Sequence, residues 1–409
     1  MQRLVEPQLS ALNLVGYCTN VHPGHDLETT RKQLDQYAVE VRRRVGRELM
    51  GVGLWLSRAT ATELLTHSHA PAEFAEWLSE RGLIPYTLNG FPFGNFHSEV
   101  VKHQVYEPTW ADPLRLQYTV DLAEIFAKLL QATGQKRGSI STLPLGWAAI
   151  NDATFHRQAA EKLQVLAEAL SKIEERSGCR IEVCLEPEPG CTLGSMPPMI
   201  EFFQRYLLTG EEAVRHRNSR YLSVCYDICH AGVMHESSAT NVRTLKQAGI
   251  RIGKVQVSSA LEVQFERLSS DERERAWERL SSFMEPRYLH QTVVYRAGRE
   301  PAYFEDLPLA MNDADVKQKG CWTVHFHVPI SESTAGELGT TQASIFQFIE
   351  AAFQENWVPP QWEVETYAWN VLPPELRADS LAAGISQEVV ALEQWLAPYF
   401  ASRQPGGAV

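Results

Sequence analysis

Four short apolar runs each end in side chains able to hold a divalent cation: Val183-Cys184-Leu185-Glu186, Val224-Cys225-Tyr226-Asp227 with His230 three residues on, Lys254-Val255-Gln256, and Trp362-Glu363-Val364-Glu365. A carboxylate at the end of a buried strand is costly unless its charge is compensated. Several such ends meeting at one mouth can share a hard cation, which takes oxygen ligands readily. Few folds deliver four strand ends to one point, so the chain reads as a metal-dependent barrel.

The rest of the sequence repeats the alternation that such a fold needs. Apolar runs ending in polar or glycine-rich turns fall at residues 12–17, 50–56, 84–88, 140–143, 181–185, 222–226, 252–257 and 362–364. Helical patterns fill the intervals at 27–49, 62–80, 113–133, 152–177, 199–208, 241–248, 343–355 and 387–400. Strands alternating with helices predict βαβ units and a parallel sheet. Eight of each predict an α/β fold closed into a (β/α)8 TIM barrel, with its site at the C-terminal strand ends. A stretch of about 259–335 separates the seventh strand from the last helix and strand, far longer than an ordinary connection. It carries a charge-rich helical stretch at 269–284 and an extended run at 321–328, and is expected over the catalytic face. One domain over 1–401 and a frayed tail over 402–409 complete the expected organisation.

Charge and composition narrow the partners. The 409 residues carry a formal net charge of −12, which opposes binding to long nucleic acids because that binding depends on Lys and Arg neutralising phosphates. A small molecule is the expected partner, and a homo-oligomer is compatible with such a chain. No run of about 18 apolar residues is present, and Met1-Gln2-Arg3-Leu4-Val5-Glu6 lacks a signal-peptide layout, so a cytoplasmic location and no membrane insertion are expected. The seven cysteines form no C-x-x-C pair and read as reduced thiols. Cys229, between Asp227 and His230, is expected near the site without being a nucleophile.

Individual residues carry different weight. Pro187 stops the strand immediately after Glu186, which leaves that carboxylate at the mouth, whereas Glu188 reads as a solvent-exposed turn residue. Asp227 is either an oxygen ligand or a helix N-cap, and His230 a ligand or a substrate contact. Gln256 offers a carbonyl oxygen to a cation or to a structural hydrogen bond. Glu363 and Glu365 share a strand face, and Glu365, nearer the end, is the expected ligand. His325 and His327 lie on one side of an extended segment, where they read as substrate or second-metal contacts or as structural residues. Loops at 17–25 and 89–97 bring His22 and His97, and Trp147 follows the fourth strand. All three are expected to grip a polar ring such as a sugar.

These residues are similar to the metal shell of the xylose isomerase-like TIM-barrel superfamily, which contains sugar isomerases, ketose 3-epimerases and endonuclease IV-type nucleases. Glu186, Asp227, His230, Gln256 and Glu365 stand where that resemblance implies a shell, with Gln256 replacing the usual His. His325-Phe326-His327 is similar to the Asp-x-His of the nuclease-like branch. The segment Leu14-Val15-Gly16-Tyr17-Cys18-Thr19-Asn20-Val21-His22-Pro23-Gly24, with Glu186-Pro187-Glu188-Pro189-Gly190, Tyr226-Asp227-Ile228-Cys229-His230 and His325-Phe326-His327-Val328-Pro329, more closely resembles the EboE-type metabolite-traffic family. The resemblance implies a divalent metal (Mn, Zn, Co or Mg) held by Glu186, Asp227, Gln256 and Glu365. It implies an isomerase or epimerase of a sugar or sugar-like metabolite, with Glu186 and Glu365 as catalytic groups and His22, His97, Trp147, His230, His325 and His327 around the substrate. A non-catalytic metabolite-binding protein on the same barrel and a metal-dependent phosphoesterase are the alternatives.

Overall fold

A computed structural model describes residues 15–147 and 152–402. The chain enters a barrel through β1 (Val15–Cys18), β2 (Met50–Trp55), β3 (Leu83–Asn89), β4 (Arg137–Thr142), β5 (Arg180–Leu185), β6 (Leu222–Asp227) and β7 (Ile252–Val257). It then leaves to form β8 (Ser259–Gln264), β9 (Thr292–Tyr295), β10 (Ala302–Phe304), β11 (Cys321–Val328), β12 (Thr334–Ala335) and β13 (Leu338–Thr340), and returns as β14 (Trp362–Val364). The barrel is closed in the order β1-β14-β7-β6-β5-β4-β3-β2 with every neighbouring pair parallel. The second sheet, β10-β9-β11-β8-β13-β12, is antiparallel throughout.

All eight expected barrel strands form where the apolar runs lie; residues 12–14 of the first, and 403–409 of the tail, fall outside the described residues. Helix bounds differ more. The expected helix at 27–49 stops at Val45, because Gly46 takes a left-handed φ of 74° and closes the last turn. The stretch at 62–80 forms two helices, Arg58–Leu65 and Ala70–Glu80. The first starts early because the Ser57 hydroxyl accepts from the Thr60 amide. A helix at Glu212–Tyr221 escaped the sequence reading because it is strongly polar with few apolar positions to mark it.

Outward residues of the barrel strands are apolar and packed under helices, while the inward ones are small or polar. On β4, Ile140 is outward and Ser139 and Ser141 are inward; on β6, Val224 and Tyr226 alternate with Ser223 and Cys225. Inside, Ser139 bonds Thr87 at 2.8 Å, Cys184 meets Ser223 at 3.2 Å, and the Cys225 thiol donates to Gln256 Oε1 at 3.0 Å. A fully buried charge pair lies in the lumen: Lys254 Nζ is 2.7 Å from Glu363 Oε2. Burial opposes the ammonium, and the Glu363 carboxylate more than restores it. Gly53 makes room for this pair, since a Cβ there would stand 1.3 Å from Glu363 Oε1.

Removing one member of a buried ion pair leaves the other uncompensated. Lys254→Met is therefore expected to destabilise the protein by about 3–5 kcal/mol. The deficit should shrink on acidification, as Glu363 takes up a proton in the folded state. Lys254→Met combined with Glu363→Leu should recover most of the loss; urea unfolding of the three proteins at two pH values checks both statements.

Candidate metal centre

Glu186 follows β5, where its amide still pairs with Thr142 O at 3.0 Å, so the strand geometry holds its side chain over the lumen. Asp227 ends β6 and caps the short helix Ile228–Val233. Its Oδ1 accepts from the His230 amide at 3.0 Å and from Ser258 Oγ at 2.7 Å, while Oδ2 is buried with no partner. Glu365 follows β14, and its Oε1 accepts from Asn20 Nδ2 at 2.8 Å and Asn89 Nδ2 at 3.0 Å. The three carboxylates offer ligand atoms within 4.8 Å of one another. Burial, reinforced by mutual repulsion, pushes the Glu186 and Glu365 carboxyls well above the usual carboxylate range. Burial also opposes ionisation of Asp227, but His230 and His327 outweigh it and hold that group low.

A second cluster stands beside the first. His230 comes from the helix after β6, and His325 and His327 come from β11, with Phe326 turned away to stack on His290 at 4.8 Å. His325 Nε2 is 3.2 Å from both His230 Nε2 and His327 Nε2. Each Nδ1 faces an acceptor: Pro187 O at 2.8 Å for His230, Gln291 Oε1 at 2.7 Å for His325, and Glu365 O at 2.5 Å for His327. The Gln291 amide is itself oriented, since its Nε2 donates to Glu188 Oε1 and to the Tyr106 hydroxyl oxygen, each at 3.0 Å. These acceptors assign the proton of each neutral ring to Nδ1 and leave a lone pair on each Nε2. Burial lowers the pKa of His325 far below its ordinary value and that of His327 to about 4, so neither ring carries charge near neutral pH. The His325 lone pair thus faces those of His230 and His327, a repulsion that a nearby cation would relieve, and a ring held through Nδ1 by a carbonyl is the usual support of a metal-ligating histidine.

The donor set fits divalent metal on two counts. Two members of the carboxylate cluster carry a buried oxygen without a hydrogen-bond partner, Glu186 Oε2 and Asp227 Oδ2. Asp227 also groups with His230 and His327, which joins the oxygen-rich and nitrogen-rich halves into one centre. Cys229 lies near His325 and His327, with its thiol pushed up by burial and the surrounding carboxylates.

Other expected site residues sit elsewhere. Gln256 lies level with Asp227 and Glu363 in the barrel register, but its oxygen is taken by the Cys225 thiol, and Ser258 is the β7-end residue that reaches Asp227. His22 does not face the cleft; it is buried against Tyr17 Oη at 2.9 Å and stacks on Tyr37. His97 binds the Asn20 carbonyl at 2.7 Å and so supports Asn20 from behind. Trp147 packs on the back of Tyr106 at 4.8 Å. Glu188 corrects the expectation of a solvent-exposed turn: it is buried and accepts from Tyr106 Oη at 2.7 Å. The turn is folded under the second sheet, with Gly190 at φ 86° where a Cβ would meet Tyr303 Oη at 2.0 Å.

Asn20 and Asn89 were missed, although both follow the strand-end rule that found the carboxylates. Tyr106 and Gln291 carry no such signal, because they arrive from a loop and from the second sheet. Above the ligands lies a cleft of about 60 Å3, walled by the loops after β1 and β3 and by the second sheet.

Fold and site together define a closed (β/α)8 barrel with a candidate metal centre at the C-terminal strand ends. No protein-family model matches the sequence, and no curated protein matches it. Among solved structures, the chain is similar to an IolI protein with a zinc atom (13% identity, 95% of this chain and 99% of that one, TM-score 0.48). It is similar also to an L-ribulose 3-epimerase (10%, 96% and 98%, TM-score 0.49) and to a D-allulose 3-epimerase from Methylomonas sp. with D-allulose (11%, 93% and 96%, TM-score 0.46). Among the described residues, no helix is long and apolar enough to cross a membrane.

Because the metal-free centre favours protonated Glu186 and Glu365, a cation must displace protons to bind. Metal affinity should therefore rise as pH is raised beyond the ordinary carboxylate range, with proton uptake by the buffer. Calorimetric titration in buffers of different ionisation enthalpy measures it. Asp227→Ala, which removes the oxygen shared by both clusters, should lower metal content more than His325→Ala, which touches only the nitrogen-rich half.

Proposed function

We propose that this chain is a metal-dependent isomerase or epimerase acting on adjacent oxygen-bearing carbons of a small, sugar-like hydroxy-carbonyl compound. The observation that carries the proposal is the trio Glu186, Asp227 and Glu365, buried together with unshared oxygen atoms at the open end of a barrel. Glu186, Asp227 and Glu365 would hold one divalent cation, and His230, His325 and His327 a second. Imidazole donors suit Zn, Co or Mn better than Mg. When bound, such a cation supplies Lewis acidity toward substrate oxygens.

The protein's own groups divide the remaining work. Glu365 is pinned by two asparagine amides through Oε1 and is oriented for binding. Glu186 has an unpartnered Oε2 and a raised pKa, which suits a group that takes a proton from carbon and returns it. Tyr106 and Gln291 fix Glu188 beside His325, and the aromatic walls exclude water from the proton in transit.

A second reading is hydrolysis of a phosphate ester, favoured by the two ligand clusters lying side by side. A carrier that binds a metabolite without turnover is the third. Incubation of metal-loaded protein with hydroxy-carbonyl substrates in heavy water separates them. Carbon-bound deuterium, lost by more than about a hundredfold in Glu186→Gln with metal retained, supports proton transfer at carbon. Phosphate release without exchange selects the hydrolase, and retention of unaltered ligand with neither product selects the carrier.

A further inference from the structure

Most polar groups around the cleft are committed to the protein, Asn20 Oδ1 being a buried exception low beside Glu365. Asn20 and Asn89 both give their amide hydrogens to Glu365 Oε1, and Asn89 Oδ1 accepts from the Phe91 amide at 3.0 Å. Tyr106 Oη donates to Glu188, and Tyr288 Oη donates to the Phe96 carbonyl at 3.1 Å. Lys102, a lining residue, is bound at 2.5 Å to Asp306, whose other oxygen accepts from the His290 and Leu307 amides. What the walls present is therefore ring face and hydrocarbon: Phe91, Phe96, Val101, Val105, Tyr288 and Leu289. Phe96 packs against Tyr288 at 5.1 Å and Tyr367 at 5.5 Å, which forms one side of a slot.

A free polyol bound there would satisfy two oxygens at the metal floor and strand the others against apolar walls, each losing its water without a replacement partner. A sugar phosphate would fare no better, since the lysine that could meet its charge is already neutralised by Asp306. We infer that the substrate has two parts: a pair of adjacent oxygens that chelates the metal, and an aromatic ring that fills the slot above it. The inference rests on the metal-centre reading for its chelating end, and on the walls alone for its body. It narrows the sugar-like compound to an aryl-substituted hydroxy-carbonyl, in which the reacting carbons resemble those of a sugar and the remainder does not.

Hydroxamates offer a matched test, because benzohydroxamate and acetohydroxamate share one chelating head and differ in body. Both are titrated into the zinc- or cobalt-loaded full chain by calorimetry, with metal content measured on the same samples, and D-fructose is used as competitor. Benzohydroxamate should bind at least about tenfold tighter than acetohydroxamate, in line with burial of a ring. Phe96→Ala and Leu289→Ser should each remove most of that preference while metal content and acetohydroxamate binding hold. Equal affinities on metal-loaded protein, or displacement of benzohydroxamate by an equal concentration of fructose, would overturn the aromatic body and leave the metal centre standing. Metal-free protein that takes up neither zinc nor cobalt would instead refute the centre, and the two-part ligand with it. If Phe96→Ala unfolds, Leu289→Ser, at another lining residue, decides the same question.

Discussion

Like charges brought together without water are the constraint on which this molecule turns. The barrel carries Glu186, Asp227 and Glu365 to one point, and beneath them Glu363 is balanced by Lys254. A lysine offsets the charge of the lower carboxylate, whereas among the described residues no lysine or arginine forms an ion pair with the upper trio. Two of its oxygens have no partner at all. A fold that tolerates such a cluster does so by protonating it or by holding a cation, and the lone pairs of three adjacent imidazoles favour the cation.

The second sheet turns a barrel mouth into an enclosed centre. It supplies His325 and His327 from β11, and Gln291 from the approach to β9. It also buries the turn after β5, which is why Glu188 is an inward carboxylate. The supports cross between the two sheets: His327 Nδ1 leans on the Glu365 carbonyl, and His230 Nδ1 on the Pro187 carbonyl. Ligand geometry is thereby tied to the backbone of the barrel strand ends, so the two halves of the centre cannot be placed independently. Such second contacts set the tautomer and direction of each ring, and they account for His325 Nε2 lying 3.2 Å from both of the other Nε2 atoms.

Much of the site was legible along the chain, for a definite reason. Wherever a strand ends at the mouth, the residue just beyond it must face the site, and reading strand ends found Glu186, Asp227 and Glu365. The same rule applied to amides would have found Asn20 and Asn89. Gln256 lies on the inward face level with Asp227, but its oxygen accepts from the Cys225 thiol, a partner that the strand-end rule does not foresee. His22, His97 and Trp147 were read from loop composition, which says that a residue is near a mouth and nothing about where its ring turns. His97 and Trp147 pack behind Asn20 and Tyr106, which line the cleft, and His22 is buried against Tyr17 and Tyr37.

Sequence alone determined the eight-stranded barrel and its carboxylates, because hydrophobic period and strand polarity are local and survive being read one residue at a time. Tertiary structure decided the rest. The imidazole trio joins residues 230, 325 and 327, the acceptors that fix their tautomers lie at 187, 291 and 365, and the ring faces of the cleft come from three separate loops. Hydrogen bonds that occupy Asn89, Tyr106 and Lys102 leave these polar residue types presenting a largely apolar wall. That outcome depends on which donor meets which acceptor across hundreds of residues, and no local pattern encodes it.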